Sequence, residues 1–153
     1  MAQELRIYRA SPFDQKAQRF LVPPKSIEAP DLSDLSGPKA FFYLAEREDQ
    51  PLGCISLRNM GSFGLVSALH FIPEQEHTAL PDILIEQVET QARSLRLPVL
   101  RAWVGRLHPS IQAAFTRNGF FPDCAANDDD RMAIYERHLK RGAARASAKR
   151  PSV

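Results

Sequence analysis

The sequence predicts one α/β (α+β) domain with a mixed, mostly antiparallel sheet flanked by helices. Three observations favour this class. Three strand-like segments follow one another between residues 40 and 72, apolar residues then recur at helical spacing from Leu80, and a strand–helix–strand unit starts at Val99. A length of 153 residues with 25% charged and 44% hydrophobic residues is typical of a single soluble globular domain.

The first half of the chain supplies four predicted strands and one helix. Residues Leu5 to Arg9 alternate apolar and polar side chains, which predicts a strand with one exposed face. A short helix is predicted from Asp14 to Val22, ended by two prolines, and an irregular proline-rich stretch follows. The next three strands are predicted at 40–45, 52–57 and 63–72, with turn residues between them.

The second half alternates helices and strands. One long helix is indicated by apolar residues at helical spacing, namely Leu80, Leu84, Val88, Ala92 and Leu95. Pro98 ends it, and a strand is predicted at 99–104. Pro109 opens another helix, for which Gly119 is the expected C-terminal cap. Two closing strands, 120–121 and 132–139, complete the order β-α-loop-βββ-α-β-α-ββ.

Charge is unevenly distributed along the chain. Five of the 20 basic residues and none of the 18 acidic ones lie from Lys140 onward, so residues 1–139 carry a net charge of −3. The segment 140–153 has little apolar content and is expected to be a disordered basic tail outside the folded domain 1–139. Such a tail supports at most weak, salt-sensitive contacts with nucleic acid.

Several partners and compartments are not expected from this sequence. The N-terminus has an early acid and no apolar run, which argues against a signal peptide, and no apolar run reaches membrane-spanning length. Cys54 and Cys124 are far apart, so we expect two reduced thiols in a cytoplasmic protein and no metal site. The acidic triplet Asp128–Asp130 is interpreted as a solvated loop. The aromatic residues of the predicted strands, Phe41, Phe42, Tyr43, Phe63, Phe71, Trp103, Phe120 and Phe121, are expected in the core.

Two local motifs, together with the element order, resemble the Gcn5-related N-acetyltransferase (GNAT) superfamily over residues 5–139. The first is the strand–loop–helix from Leu69-His-Phe-Ile-Pro73 through Leu84, which is similar to the acetyl-CoA motif of that family. The second is the helix that begins at His108-Pro and continues to Phe115-Thr-Arg-Asn-Gly119-Phe120. The resemblance implies a sheet that splays between the strands 63–72 and 99–104, with an acyl-CoA bound there as co-substrate.

The loop of the first motif departs from the family pattern. In the family, an Arg or Gln and two small residues let a helix N-terminus cradle the pyrophosphate, because its free N–H groups carry partial positive charge. Here the resemblance places Glu76 at the Arg/Gln position and Ala79 and Pro81 at the glycine positions. Pro81 lacks an N–H, and acids at this helix start also suit a helix that binds no anion.

The remaining site residues follow from the resemblance. The donor is expected along Leu69, His70 and Phe71 and along the loop residues Glu76, His77, Thr78, Ala79, Leu80, Pro81 and Asp82, with His108 and Phe115 at the second motif. Phe115 replaces a tyrosine that protonates the departing thiolate in many family members, and it can only pack. His70 is the candidate general base and Ser67 a candidate to position a water, although a histidine on an apolar strand can equally be a packed residue.

Two functions remain open from the sequence. The first is an acyl-CoA-dependent N-acyltransferase, in which a small-molecule or protein amine attacks the thioester directly. The second is a catalytically degenerate member that has lost CoA binding and serves as a binding or regulatory module. Dimerisation is common in the family, so a homodimer is a possible assembly, and neither a membrane nor a metal is expected to take part.

Overall fold

The computed structural model describes residues 4–21, 35–105, 108–122 and 132–139. Its element order is the predicted one. The strands are β1 (Arg6–Arg9), β2 (Ala40–Arg47), β3 (Gln50–Asn59), β4 (Gly64–Phe71), β5 (Val99–Gly105), β6 (Phe121–Pro122) and β7 (Met132–His138). The helices are α1 (Gln15–Leu21), α2 (Leu80–Ser94) and α3 (Pro109–Arg117). The proline-rich loop, the acidic triplet, Cys124 and the tail 140–153 lie outside the described residues, and so do the expectations that concern them.

All seven strands form one sheet in the order β1-β2-β3-β4-β5-β7-β6. Each pair of neighbours is antiparallel except β4 and β5, which run parallel because α2 crosses over between them. The predicted mixed, mostly antiparallel sheet is therefore confirmed. The β2–β3 connection is a tight hairpin with Glu48 and Asp49 at positive φ, as the turn that suits twisted strands requires.

Helices cover both faces of the central strands, which explains why β2 and β3 are almost continuously buried. On one face, α1 places Ala17 and Leu21 against Phe42, Leu44 and Cys54. On the other face α2 presents a buried stripe at helical spacing, Leu84, Ile85, Val88 and Ala92, against a larger cluster that also includes α3. Gly119 follows α3 with φ +88°, as expected of a helix cap.

The expectation that the strand aromatics all belong to the core is wrong at two positions. Trp103 on β5 is 57% exposed and Phe121 on β6 is 69% exposed. Helix α1 packs on β3 and β4, and in the described part of the chain it has no packing of similar extent against β5, β6 or β7. The side chain of Trp103 is therefore exposed to solvent, close to the point where β4 and β5 separate.

Candidate functional site

The two parallel strands separate part-way along their length. Pairing of β4 with β5 covers Gly64–Leu100, Leu65–Arg101 and Val66–Ala102 and goes no further, although β4 continues to Phe71 and β5 to Gly105. The splay predicted between 63–72 and 99–104 is present. Beyond Val66, the backbone groups of β4 on this side face a cleft rather than a neighbouring strand.

A cavity of about 420 Å³ occupies this cleft. Strand β4 forms one wall and the end of β5 with the start of α3 forms the other, so the site is built from the carboxyl ends of two adjacent parallel strands. The residues that line it are Val66, Ser67, Ala68, Leu69, His70, Phe71, Pro73, Glu76, Trp103, Val104, His108, Ser110, Ile111 and Phe115. Its volume falls within the roughly 300–1,000 Å³ usual for small-molecule sites.

A β-bulge in β4 decides which side chains share a face in this cleft. Ser67 pairs with Ser56 and His70 pairs with Cys54, so that Ala68 and Leu69 together oppose Ile55. Ala68 takes the left-handed conformation, with φ +57°. Without the extra residue, strict alternation would turn His70 away from Ser67, whereas the bulge brings both side chains to the face that α1 covers.

The environment of His70 favours its neutral form. Its side chain is half-buried, and burial is the main cause that lowers its pKa below the ordinary value, while the neighbouring imidazole of His108 lowers the pKa further. A neutral imidazole presents one ring nitrogen with a free lone pair. His70 can therefore accept a proton at neutral pH from a group that enters the cleft.

Polar groups of the loop between β4 and α2 hydrogen-bond to one another and to the start of α2. Pro73–Gln75 forms a short 3₁₀ turn, and the hydroxyl of Thr78 donates to the carbonyl oxygen of Gln75 at 2.9 Å. The same hydroxyl oxygen accepts the backbone N–H of Leu80, the first residue of α2, at 3.2 Å. Pro81 adds no N–H. Two of the donors that a helix N-terminus usually offers to a phosphate are thus used or missing.

The side-chain carboxylate of Asp82, in the first turn of α2, is held by side chains at the end of α3. Asp82 accepts hydrogen bonds from the Arg117 guanidinium, at 3.1 and 3.2 Å, and from the side-chain amide of Asn118 at 2.8 Å. Both partners lie at the end of α3, so the ion pair links the two helices beside the cleft. The charge of Asp82 is balanced by Arg117, whereas Glu76 is exposed and no Lys or Arg of the described residues forms an ion pair with it.

The second motif contributes packing rather than polar chemistry. Phe115 is 2% exposed, lines the cavity and packs edge-to-face on Phe120 with 5.0 Å between ring centroids. His108 precedes α3 and its side chain makes no capping hydrogen bond, although its carbonyl oxygen accepts the N–H groups of Ile111 and Gln112. The imidazole of His108 is exposed at the rim of the cavity.

The structure brings together only part of the set expected from the sequence. Seven of these residues line the cleft: Ser67, Leu69, His70, Phe71, Glu76, His108 and Phe115. The others do not line it: His77 is exposed, Pro81 is buried, Asp82 binds Arg117, and Thr78, Ala79 and Leu80 line a separate cavity of about 180 Å³ with Arg47 on the side of β1 and β2.

Sequence reasoning missed the second wall of the cleft. Trp103 and Val104 on β5, with Ser110 and Ile111 on α3, line the cavity. A usable signal was present, because a splay between two predicted strands implies that the carboxyl end of the second strand also faces the opening. The contribution of Arg117 had no such signal, since it depends on how α3 packs against the start of α2.

Comparison with solved structures assigns the fold. An acetyltransferase of the GNAT family from Staphylococcus aureus matches with a TM-score of 0.72 and 15% identity over 90% of this chain and 100% of that chain. The chain has the GNAT acetyltransferase fold. A GNAT family acetyltransferase from Elizabethkingia anophelis, solved with acetyl-CoA bound, matches with a TM-score of 0.69 and 14% identity over 88% of this chain and 98% of that chain.

A third similar structure was solved with a ligand. PaiA N-acetyltransferase from Thermoplasma acidophilum, in complex with coenzyme A, matches with a TM-score of 0.68 and 16% identity over 89% of this chain and 99% of that chain. No protein-family model and no curated protein matches the sequence. Within the described ranges there is no group of three or more His, Cys, Asp or Glu residues placed to hold a metal ion, and no helix is long and apolar enough to cross a membrane.

Proposed function

We propose that this GNAT-fold protein is an N-acyltransferase that transfers an acetyl or other short acyl group from a CoA thioester to an amine. The observation that carries the proposal is the cleft of about 420 Å³ between β4 and β5, with the neutral imidazole of His70 on its wall. Solved relatives of the same fold bind acetyl-CoA or CoA.

The cleft suits the pantetheine end of the donor. An extended, amide-containing arm can pair with the edge of a strand in the way that a peptide adds to a sheet, and β4 has such an edge beyond Val66. Apolar side chains at the cavity, among them Leu69, Ile111 and Phe115, suit the methylene and acyl parts. The phosphate end fits less well, because Pro81 lacks an N–H and Glu76 faces the cavity.

His70 is the proposed base for direct attack. The amine nitrogen forms a bond to the thioester carbonyl carbon, the C–S bond breaks, and the proton released from nitrogen passes to His70, directly or through a water held by Ser67. A thiol has an ordinary pKa of about 8.5, so a thiolate is a fair leaving group near neutral pH without a general acid. The lack of a hydroxyl at Phe115 is compatible with this route.

The degenerate alternative is favoured by one feature, the start of α2. Fewer backbone N–H groups are available there, because the N–H of Leu80 is bound by Thr78 and Pro81 has none. Glu76 also adds a negative charge. At about 4 Å and a surface-like dielectric, repulsion between this carboxylate and a phosphate reaches up to about 4 kcal/mol before salt screening. If this repulsion dominates, the cleft binds no CoA, and the fold serves another role.

Binding measurements separate the two functions. Acetyl-CoA, CoA and S-acetyl-pantetheine should each be titrated by calorimetry and by thermal unfolding, with inorganic pyrophosphate as the anion control. We expect acetyl-CoA to stabilise the protein by about 2.7 kcal/mol at a hundredfold excess over its Kd. S-acetyl-pantetheine is expected to bind nearly as well, since the phosphate end contributes little. If millimolar acetyl-CoA and S-acetyl-pantetheine both leave the unfolding temperature unchanged, the acyltransferase proposal fails.

A further inference from the structure

The bulge in β4 is braced from the neighbouring strand by one thiol. The Sγ atom of Cys54 on β3 donates to the carbonyl oxygen of Ala68 at 3.3 Å, and the backbone N–H of His70 lies near enough to the same sulfur to lower the pKa of the thiol slightly. Both partners belong to the bulge, one on either side of Leu69. Sulfur reaches further than oxygen, which suits a contact with two backbone groups that the bulge has pushed out of regular pairing.

The residue before Cys54 makes room for the same feature. A Cβ atom on Gly53 would lie 2.7 Å from the carbonyl oxygen of His70, a backbone atom that cannot rotate away. It would also lie 3.2 Å from Leu84 and 3.3 Å from Phe71. Gly53 therefore permits a close approach of β3 to the segment of β4 that carries His70. Two consecutive residues of β3 thus fit the bulge, one by hydrogen bonding and one by its lack of a side chain.

The thiol of Cys54 takes no direct part in the chemistry of the cleft. Its side chain is fully buried, and burial raises the pKa of its thiol well above the ordinary value, so it stays protonated and keeps its donor hydrogen. Removed from solvent and protonated, it is neither a nucleophile nor a metal ligand. Cys54 can therefore act only through the conformation of β4.

We propose that Cys54 is a positioning residue, which fixes the bulge at Ala68 and thereby holds the imidazole of His70 in the acyl-transfer cleft. The inference rests on the proposed function for the role of His70, but its geometric content does not depend on any ligand. If the bulge relaxed into regular alternation, Leu69 instead of His70 would occupy the face of Ser67. The proposed base would then be replaced by an apolar side chain.

The test compares Cys54→Ala with Ser56→Ala in the ligand-free protein. Ser56 is the matched control because it is buried two residues along the same face of β3, and its hydroxyl has no hydrogen-bond partner among the described residues. NMR should follow the backbone amide exchange of His70 and the titration of its ring. The titratable groups that line the same cavity as His70 are His108 and Glu76, and Cys54 is its partner on β3.

We expect Cys54→Ala to speed exchange of the His70 amide by about five- to tenfold relative to the amides of β2, because the bulge loses the hydrogen bond between Cys54 and Ala68 and opens more readily. The ring of His70 should titrate at a higher pH as it leaves its half-buried position. Ser56→Ala should change neither quantity. Cys54→Ser, which keeps a donor and an acceptor, should restore much of the wild-type behaviour. Unchanged exchange and titration in folded Cys54→Ala would overturn the proposal, as would Cys54→Ser behaving like Cys54→Ala.

Two further measurements keep the outcomes separable. If Cys54→Ala does not fold, Gly53→Ala displaces the carbonyl of His70 from the other side, and it should produce the same shift in the ring titration; an unshifted ring would count against the proposal. In an acyl-transfer assay, Cys54→Ala should lower kcat at least tenfold with the KM for the acyl donor within about twofold. Failure of acetyl-CoA to bind would remove the proposed function, while the ligand-free NMR still decides whether Cys54 positions His70.

Discussion

Glu46 shows how a single charged residue is accommodated inside this fold. Its carboxylate is 3% exposed and accepts hydrogen bonds from Arg6 at 3.0 Å, Tyr8 at 2.9 Å and Lys16 at 2.8 Å. These partners come from β1 and α1, so the buried carboxylate ties both elements to β2. The hydrogen bond from Lys16 is the main cause that lowers the pKa of Glu46, and the Tyr8 hydroxyl lowers it further.

Glu46→Gln should destabilise the protein by about 1.5 kcal/mol near pH 7, the low end for hydrogen bonds to a charged group, because Arg6 and Lys16 can turn to water. A lowered carboxylate pKa stabilises the fold above the unfolded-state value and loses that effect as pH falls through the folded-state value. The difference from wild type should therefore shrink as the pH falls below the ordinary glutamate value of about 4.3. Urea unfolding at several pH values measures it. Glu48→Gln, in the exposed hairpin turn, is the control, and an equal effect at both positions would contradict the account.

At the scale of the elements, periodicity predicted the helices and strands because each buries an apolar stripe or face. The stripe of α2 and the meander of β2, β3 and β4 are of this kind. The bulge in β4 was not predictable, since Ala68 carries no signal for positive φ and the alternation of 63–72 reads equally well without it. The cleft was predicted as a splay, but its second wall at Trp103 depends on how β5 and α3 pack.

In the proposed CoA site, the charge of the β4–α2 loop acts on the phosphate end of the ligand. Glu76 lines the cleft and is exposed, whereas Glu74 is exposed and does not line it. Glu76→Gln should tighten acetyl-CoA binding about three- to tenfold at low salt, because one close repulsion disappears. Glu74→Gln should change the Kd less than twofold. Isothermal titration at two salt concentrations makes the measurement, and equal Kd values for Glu76→Gln and wild type would show that the phosphates bind elsewhere.

Glu76→Gln leaves the expected pantetheine contacts intact, so S-acetyl-pantetheine serves as an internal control. Binding of S-acetyl-pantetheine should not respond to Glu76→Gln, since this probe has no phosphate. A gain for both ligands would mean that Glu76 acts on the shape of the loop instead of on the charge of the ligand. A gain for acetyl-CoA alone would place its phosphates next to Glu76.

For the whole molecule, the net charge of +2 conceals a division between two segments. Residues 1–139 carry −3 and the segment from Lys140 carries +5. The order of the elements could be read from the sequence because it follows from local patterns. The electrostatics of the site could not be read from the whole-chain charge, because only contacts such as that between Asp82 and Arg117 determine which acids remain unbalanced near the cleft.

This division leads to a prediction about the tail. The last described residue, Leu139, is buried, and its N–H donates to the carbonyl oxygen of Pro98 at 2.8 Å, so a chain that ends there keeps its closing contact. Truncation after Leu139 should change the free energy of unfolding by no more than about 0.5 kcal/mol. It should also abolish retention on a heparin column at low salt, because the remaining net charge is negative.

A full-length variant with all five tail cations changed to glutamine separates charge from chain length. It should elute from heparin with the truncated protein and unfold with the wild type, since we expect this segment to lie outside the packed domain. Loss of soluble, folded protein on truncation, with the glutamine variant stable, would instead show that the segment packs against the domain. In that case the folded unit would extend beyond Leu139, and the positive charge would act on the domain itself.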